Sequence, residues 1–364
     1  MNRKEIISVN QLLTIFYISI VSTGLITLPH PMYLKAQQNM WISIIMSSTM
    51  GFLAVFICYF FKKNFPDKNF NQIIYLAVGN RIGYLINCII FILYSFDMIY
   101  FLKEYELYLT DLFYQFMSPS LIIGLMLLVS MYAVVSGLEV IARCAQIIWP
   151  TTIILTLGIF VLLLPDIDFK NMFPIFEYGF GQPIKASFIA MAWFSELFWM
   201  IFFVQDISES AKKLKVMGFI YVFIIMISLF LFFITVLGVL GNYTGHTLYP
   251  VSLAERYIQM GTFIERTSVF FMAIWVLGVF IKIASLLFIL TRCFCEVLHA
   301  SSIGLISSVL CVVYFILSLI LIKSTSSLFQ VGFPLFLIVT YVANFGIFTM
   351  IFCITLFKKR TKIV

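Results

Sequence analysis

Residues 10–30 read NQLLTIFYISIVSTGLITLPH, an almost uninterrupted apolar run. About 20 helical residues cross the roughly 30 Å hydrocarbon core of a bilayer, so this stretch predicts a membrane-spanning helix. Arg3 and Lys4 precede it, as in a signal peptide, but the run is long and no A-x-A cleavage site precedes position 40. We therefore expect a retained first helix.

Nine further apolar blocks follow the first, separated by short clusters of Gly, Pro, Asn and charged residues. The ten blocks are approximately 10–30, 40–61, 83–103, 119–138, 145–164, 186–206, 216–240, 268–290, 303–322 and 332–356. The sequence predicts an all-α integral membrane protein with about ten transmembrane helices in one polytopic domain, residues 1–364. We take about 1–165 as its first half, about 183–357 as its second half, and 241–267 as an outer loop.

The charges are few and unevenly placed. Only 11% of residues are charged, against about 25% in soluble proteins, and 62% are apolar. With the N terminus inside, the basic residues of the cytoplasmic segments are Arg3, Lys4, Lys62, Lys63, Lys68, Arg81, Arg143, Lys212, Lys213, Lys215, Arg292, Lys358, Lys359, Arg360 and Lys362, and those of the outer segments are Lys35, Lys103, Lys170, Lys185, Arg256, Arg266 and Lys323.

This distribution follows the positive-inside rule and predicts that both termini are cytoplasmic. The net charge of +7 is then a consequence of topology, so we expect the lipid bilayer and no nucleic acid as a partner.

Several function classes lack their sequence signatures. The seven cysteines lie in or beside the apolar blocks, and the three histidines fall in separate loops, so we expect no metal site. The sequence contains no G-x-x-x-x-G-K-[ST], H-E-x-x-H or G-x-S-x-G motif. We expect no enzyme, no catalytic residues and no cofactor. A secondary transporter, a channel and a ligand-sensing subunit remain.

Three ionisable residues lie at membrane depth, away from the ends of the apolar blocks: Asp97, Glu196 and Lys282. Such residues are costly at membrane depth unless paired or hydrated, so each indicates a functional site. The alternative is that a lysine–carboxylate pair only fixes helix packing.

Two blocks carry signs of a broken helix. The stretch Thr23-Gly24-Leu25-Ile26-Thr27-Leu28-Pro29 places Gly and Pro near the end of the first block, beside hydroxyl groups that can satisfy the freed backbone. The sixth block has only Ser195-Glu196 and neither Gly nor Pro there. Breaks at matching positions of an inverted repeat are where transporters bind substrate. The alternative for Gly24 is close helix packing.

Five short stretches carry a recognisable pattern: Ile7-Ser8-Val9-Asn10-Gln11, Gly24-Leu25-Ile26-Thr27-Leu28-Pro29, Tyr132 to Arg143 with Gly137-Leu138-Glu139, Phe173-Pro174-Ile175-Phe176 and Ser195-Glu196-Leu197. Together they resemble the spore germination permease family, the B subunits of endospore germinant receptors within the amino acid-polyamine-organocation superfamily. The resemblance implies a 5+5 inverted-repeat transporter fold with discontinuous first and sixth helices, and residence in the spore inner membrane. It also implies A and C subunits as partners and a small germinant, an amino acid or a nucleoside, as ligand.

A family-like site would draw on the first, third, sixth and eighth helices. The candidate ligand-binding residues are Thr23, Gly24, Ile26, Asp97, Glu196, Lys282 and Ser285. In sodium-coupled members of this architecture a cation site lies between the first and eighth helices, and the ammonium of Lys282 could stand in for that ion. The leading hypothesis is a germinant-sensing subunit; the alternatives are an active secondary amino acid transporter and a passive channel.

Overall fold

A computed structural model describes residues 6–177, 179–258, 267–298, 300 and 302–360. The expectations for Arg3, Lys4, Arg266, Lys362 and the end of the outer loop lie outside these residues. The α-helices are Val9–Thr27, Pro29–Ala36, Met40–Asn64, Phe70–Val78, Asn80–Leu112, Pro119–Ser136, Leu138–Leu163, Gly181–Ser195, Ala211–Leu240, Pro250–Ala254, Thr267–Leu298, Ile303–Leu321, Thr325–Ser327, Phe333–Thr340 and Phe348–Arg360. Shorter 3₁₀ and π segments join them.

Ten helical segments of the described chain are long and apolar enough to cross a membrane, as the sequence predicts. We call them spans 1 to 10: Val9–Thr27, Pro29–Asn64, Asn80–Leu112, Pro119–Ser136, Leu138–Asp166, Gly181–Asp206, Ala211–Gly245, Ser268–Leu298, Ile303–Leu321 and Thr325–Lys359. Their number and order match the ten apolar blocks.

Both predicted helix discontinuities are present. The first helix ends at Thr27, and Leu28 separates it from the helix that begins at Pro29, because proline has no N–H to continue the hydrogen-bond ladder. Span 6 is α-helical to Ser195 and then continues as a 3₁₀-helix over Glu196–Asp206. Runs of 3₁₀-helix longer than about four residues are uncommon, so this stretch is an unusual element.

Spans 1 and 6 form the centre of the bundle. In each of them 89% of an 18-residue apolar stretch is buried inside the protein, whereas the buried share of the corresponding stretch is 28% in spans 5 and 10. The peripheral spans expose large apolar side chains such as Ile147 and Leu305, which suits a surface in contact with lipid. The helices with the predicted discontinuities are therefore the ones removed from lipid.

The packing partners of the spans follow a repeat. Span 2 packs on span 6 and span 7 packs on span 1; span 4 packs on span 8 and span 9 packs on span 3. The two contacts of each pair are equivalent under an exchange of the halves, in which span 1 takes the place of span 6, span 2 that of span 7, and so on. Spans 2 and 7, 3 and 8, and 4 and 9 also pack on each other. This pattern is the one that two structurally similar halves of five helices produce.

One face of the bundle carries residue 6 and the end of span 10, and we call it the terminal face. Ile7 N–H donates to the Asp206 carbonyl at 2.8 Å, and Ser208 N–H donates to the Ile7 carbonyl at 3.1 Å. The Lys62 ammonium donates to the carbonyls of Val204 and Ile207 at 2.9 and 2.8 Å. The Lys359 ammonium donates to Asn64, so basic residues of two predicted cytoplasmic segments lie at this face.

The opposite face is covered by residues 246–258, the described part of the segment between spans 7 and 8. It contains a short helix, Pro250–Ala254, which continues as a 3₁₀ turn over Glu255–Tyr257. The Tyr249 hydroxyl donates to Asp111 at 3.2 Å, and Thr325 donates to the same carboxylate at 2.8 Å. Asp111 therefore connects this cover to spans 3 and 10.

Glu255 is buried in this cover, and neither of its carboxyl oxygens has a hydrogen-bond partner among the described residues. Burial raises the pKa of Glu255 well above its ordinary value. The folded protein therefore holds this proton at pH values where the unfolded chain has lost it.

We expect Glu255→Gln to stabilise the protein increasingly as pH rises. Below the ordinary glutamate pKa of about 4.3 the carboxyl is protonated in both states, and the substitution changes little. Above it, the wild type loses about 1.4 kcal/mol per pH unit relative to the variant, until the raised folded-state pKa is reached. The apparent melting temperature of both proteins in detergent, measured between about pH 5 and about pH 8, tests this. The exposed Asp166 provides the control substitution, Asp166→Asn, and a gap that stays constant with pH would contradict the prediction.

Candidate ligand-binding site

Lys282, Glu196 and Thr23 meet in the middle of the bundle. The Lys282 ammonium donates to Glu196 Oε1 at 2.6 Å and to Thr23 Oγ1 at 2.7 Å. The side chains of Lys282 and Glu196 are fully buried. Spans 1, 6 and 8 each supply one of the three residues, which we call the central triad.

The central triad lies at the helix discontinuities. Glu196 is the first residue of the 3₁₀ part of span 6, and Thr23 lies just over one turn before the interruption at Leu28. The indole N–H of Trp193 donates to Thr23 Oγ1 at 3.0 Å, which fixes the threonine hydroxyl beside the lysine. The local change of helix type thus brings polar groups from two helices to one point.

The third span completes the surroundings of Lys282. The ammonium lies 3.8 Å from the centroid of the Phe101 ring, a favourable cation–π position. Asp97 and Glu104, on the same helix, lie within electrostatic range of the ammonium. Thr27 donates a hydrogen bond to Glu104, and Thr340 donates a long one, 3.5 Å, to Asp97 Oδ1.

The predicted site residues divide by position. Thr23, Glu196 and Lys282 touch one another, and Asp97 is nearby without a hydrogen bond to Lys282. The Ser285 hydroxyl donates to the carbonyl of Ile281, one turn earlier in the same helix, and therefore does not donate to the central triad.

Gly24 and Ile26 contribute to packing around the central triad. A Cβ added at Gly24 would contact Leu28, Leu229 and the Trp193 ring at 3.3–3.6 Å. Ile26 is buried in the apolar core.

Sequence reasoning missed Phe101, Glu104 and Trp193 as site residues. Glu104 lies just beyond the third apolar block, 83–103, and so did not count as a charge inside a block, although it is seven residues from Asp97 and three from Phe101, spacings that place all three on one helix face. Trp193 carries no charge in an apolar stretch and so gave no comparable signal.

Asn344 organises a second buried polar network. Tyr94 and Trp199 both donate to Asn344 Oδ1, at 2.8 and 3.1 Å, and Asn344 Nδ2 donates to Ser195 Oγ at 3.0 Å. Asn344 lies in a π-helical stretch of span 10, Tyr341–Ile347, and such stretches are frequent at functional sites. Because Ser195 precedes Glu196, this network adjoins the central triad.

A family model described as "Spore germination protein" matches residues 6–327. The chain belongs to this family. Among curated relatives, spore germination protein KB of Bacillus subtilis is 24% identical over 78% of this chain and 77% of the relative. Spore germination protein XB of Bacillus anthracis is 27% identical over 74% of this chain and 76% of the relative. The family resemblance read from the sequence is confirmed.

Solved transporter structures share the fold of this spore germination protein. Mhp1, a nucleobase-cation-symport-1 family transporter solved with bromovinylhydantoin bound, superposes with a TM-score of 0.71 at 13% identity, over 96% of this chain and 78% of Mhp1. MhsT, solved with L-phenylalanine, gives a TM-score of 0.68 at 14% identity, over 97% and 89%. The predicted fold class is confirmed, and the chain is a multi-pass, permease-like membrane protein.

Proposed function

We propose that this protein is the germinant-sensing B subunit of a spore nutrient receptor, with an amino acid as its ligand. The observation that carries the proposal is the central triad, a buried polar centre built by spans 1, 6 and 8 at the two helix discontinuities. In a permease-like spore germination protein, such a centre supplies charged and polar groups that a small nutrient can bind.

The ligand would bind by competing for the groups that now pair with each other. Its carboxylate would take the Lys282 ammonium from Glu196, and its own ammonium would bind the Glu196 carboxylate, whose Oε2 has no hydrogen-bond partner among the described residues. The Thr23 hydroxyl and the Phe101 ring complete the surroundings. Binding would thus replace a contact between spans 6 and 8 with contacts through the ligand.

Two ion pairs hold spans 6 and 8 together at different depths. Glu196 pairs with Lys282, and ten residues further along each span Asp206 pairs with Arg292. Ten residues along the α-helical span 8 correspond to about 15 Å, which brings the second pair to the terminal face. A ligand that separates the first pair therefore biases the second, and A and C subunits on this face would detect the change. Binding shifts such an equilibrium only by its different affinities for the two states.

The topology and location follow the same proposal. Both termini would be cytoplasmic, since the clustered basic residues of the terminal face match the positive-inside rule. The membrane would be the inner membrane of the spore.

An active secondary amino acid transporter is the second candidate function, because the chain has the fold of transporters. The same central triad would then alternate between access from the two faces. In this architecture the Lys282 ammonium would occupy the place of a coupling cation between spans 1 and 8, so ligand binding should be equal in sodium and potassium buffers under either function.

Deletion of the gene tests the sensing function. Spores of the deletion strain should fail to germinate with one class of single nutrient, amino acids or nucleosides, and respond normally to the others. The purified protein reconstituted alone should show neither concentrative amino acid uptake nor ion conductance. Proton- or sodium-driven uptake would favour the transporter, conductance without partners would favour the channel, and normal germination with every nutrient would contradict the proposal.

A further inference from the structure

The carboxyl groups around Lys282 outnumber the cations. Asp97, Glu104 and Glu196 are all buried and within electrostatic range of the single Lys282 ammonium, which gives a formal charge of −3 + 1 = −2. Among the described residues, Lys282 pairs directly with Glu196 alone. Asp97 and Glu104 therefore lack a cation of their own in the part of the chain that the structure describes.

The buried carboxyl groups around Lys282 also have unused hydrogen-bonding capacity. Asp97 Oδ2 and Glu196 Oε2 are buried and have no partner among the described residues, and Glu104 accepts from the neutral Thr27 hydroxyl. A buried carboxylate is costly without a partner, so these oxygens are positions where a donor is favourable. They point to a ligand that brings donors and positive charge.

Aromatic side chains surround the two carboxyls of span 3. Phe101 lies between Asp97 and Glu104 on span 3, and its ring packs against Phe336 with centroids 5.2 Å apart. Tyr100 stacks on Phe336 at 4.4 Å, and Trp193 approaches it at 5.2 Å. Aromatic faces attract organic cations, as the Lys282 ammonium over Phe101 already demonstrates.

The three carboxyls do not form a compact metal site. Among the described residues no group of three or more His, Cys, Asp or Glu side chains is placed to hold a metal ion. Asp97 and Glu104 are seven residues apart on one helix, a rise of about 10 Å. This separation suits an elongated organic cation better than a single ion.

We infer that the ligand carries a net positive charge and belongs to the basic amino acids. The inference rests on the proposed function and specifies its ligand class. The α-carboxylate of the ligand binds Lys282, one of its cationic groups binds Glu196, and the second binds Asp97 or Glu104. The pair of acidic residues on span 3 thereby determines specificity.

Matched ligands test the inference on the purified wild-type protein in detergent. L-lysine is compared with the neutral L-norleucine, and L-arginine with the neutral L-citrulline, by ligand-induced shift of the melting temperature and by equilibrium binding. We expect at least one basic ligand to bind about tenfold or more tightly than its neutral counterpart, the equivalent of about 1.4 kcal/mol. The double variant Asp97→Asn/Glu104→Gln should lose this preference. Asp166→Asn, a substitution of an exposed carboxylate at the end of span 5, should retain it.

The outcomes separate this inference from the function on which it rests. If norleucine or citrulline bound as tightly as its basic counterpart, the inference would be overturned, because bound protons would then neutralise the carboxyl groups. The proposed nutrient-sensing function would be unaffected by that result. Failure of all four to bind would also overturn it, whatever the germination phenotype. Retention of the preference by the double variant would remove Asp97 and Glu104 from the account.

Discussion

Lys282→Met is expected to destabilise the protein more than any other single substitution in the central triad. It removes the ammonium that donates to Glu196 and Thr23 and leaves the Glu196 carboxylate fully buried without its cation. Breaking a buried ion pair on one side typically costs about 3–5 kcal/mol. The measurement is the apparent melting temperature in detergent, together with protein abundance in the membrane.

A second substitution separates the charge effect from the loss of packing. Lys282→Met/Glu196→Gln replaces both charges with neutral side chains of similar size, and such replacements of buried pairs are often neutral for stability. We expect the double variant to recover most of the lost stability. Lys323→Met, at an exposed lysine, is the control for removal of a lysine charge. If the double variant were as unstable as Lys282→Met, packing of the lysine chain would be the main contribution.

Gly278→Ala is expected to have the second largest effect, because Gly278 of span 8 packs directly against Ser22 of span 1. An added Cβ would lie 2.6 Å from Ser22 Cβ and 3.0 Å from Ser22 Oγ. Overpacking of this kind typically costs about 1–3 kcal/mol. Lys282 lies one turn after Gly278 and Thr23 follows Ser22, so separation of the two helices also lengthens the contact from Lys282 to Thr23. Melting temperature and ligand affinity should both fall.

The clash has a direct test in a compensating variant. Ser22→Gly removes the two atoms nearest to the added Cβ and leaves Ile18 Cγ2 as the next nearest, at 3.4 Å, an ordinary contact, so Ser22→Gly/Gly278→Ala should regain ligand affinity relative to Gly278→Ala. At Gly158, within span 5, an added Cβ meets nothing within 4 Å, and Gly158→Ala should leave binding unchanged. If Ser22→Gly/Gly278→Ala lost as much ligand affinity as Gly278→Ala, separation of spans 1 and 8 would not be the cause of the loss.

The sequence predicted the fold well because lipid imposes a simple rule on it. Each span needs about 20 apolar residues, so the ten blocks could be read directly from composition. The same uniformity made Glu196 and Lys282 conspicuous, since charges inside apolar blocks are rare. Pro29 likewise marked the interruption of the first helix, because proline has no N–H to donate.

Other features depend on neighbours that the sequence does not specify. No residue type in Glu196–Asp206 demands a 3₁₀-helix, and Ser195 is held there by contact with Asn344 from span 10. Phe101 and Trp193 are ordinary apolar residues of membrane helices until folding places them beside Lys282 and Thr23. Glu104 lies near the end of a predicted span, where a charge usually reaches the interface, and only the tertiary structure buries it.

The most direct test of the central triad is the germination response of spores that carry Lys282→Met/Glu196→Gln in place of the wild-type protein. The comparison is made at equal abundance in the spore membrane, with the nutrient to which the deletion strain does not respond. We predict that these spores fail to germinate with that nutrient and respond normally to nutrients that act through other receptors. A normal response at normal abundance would contradict the account, because the central triad would then serve helix packing alone.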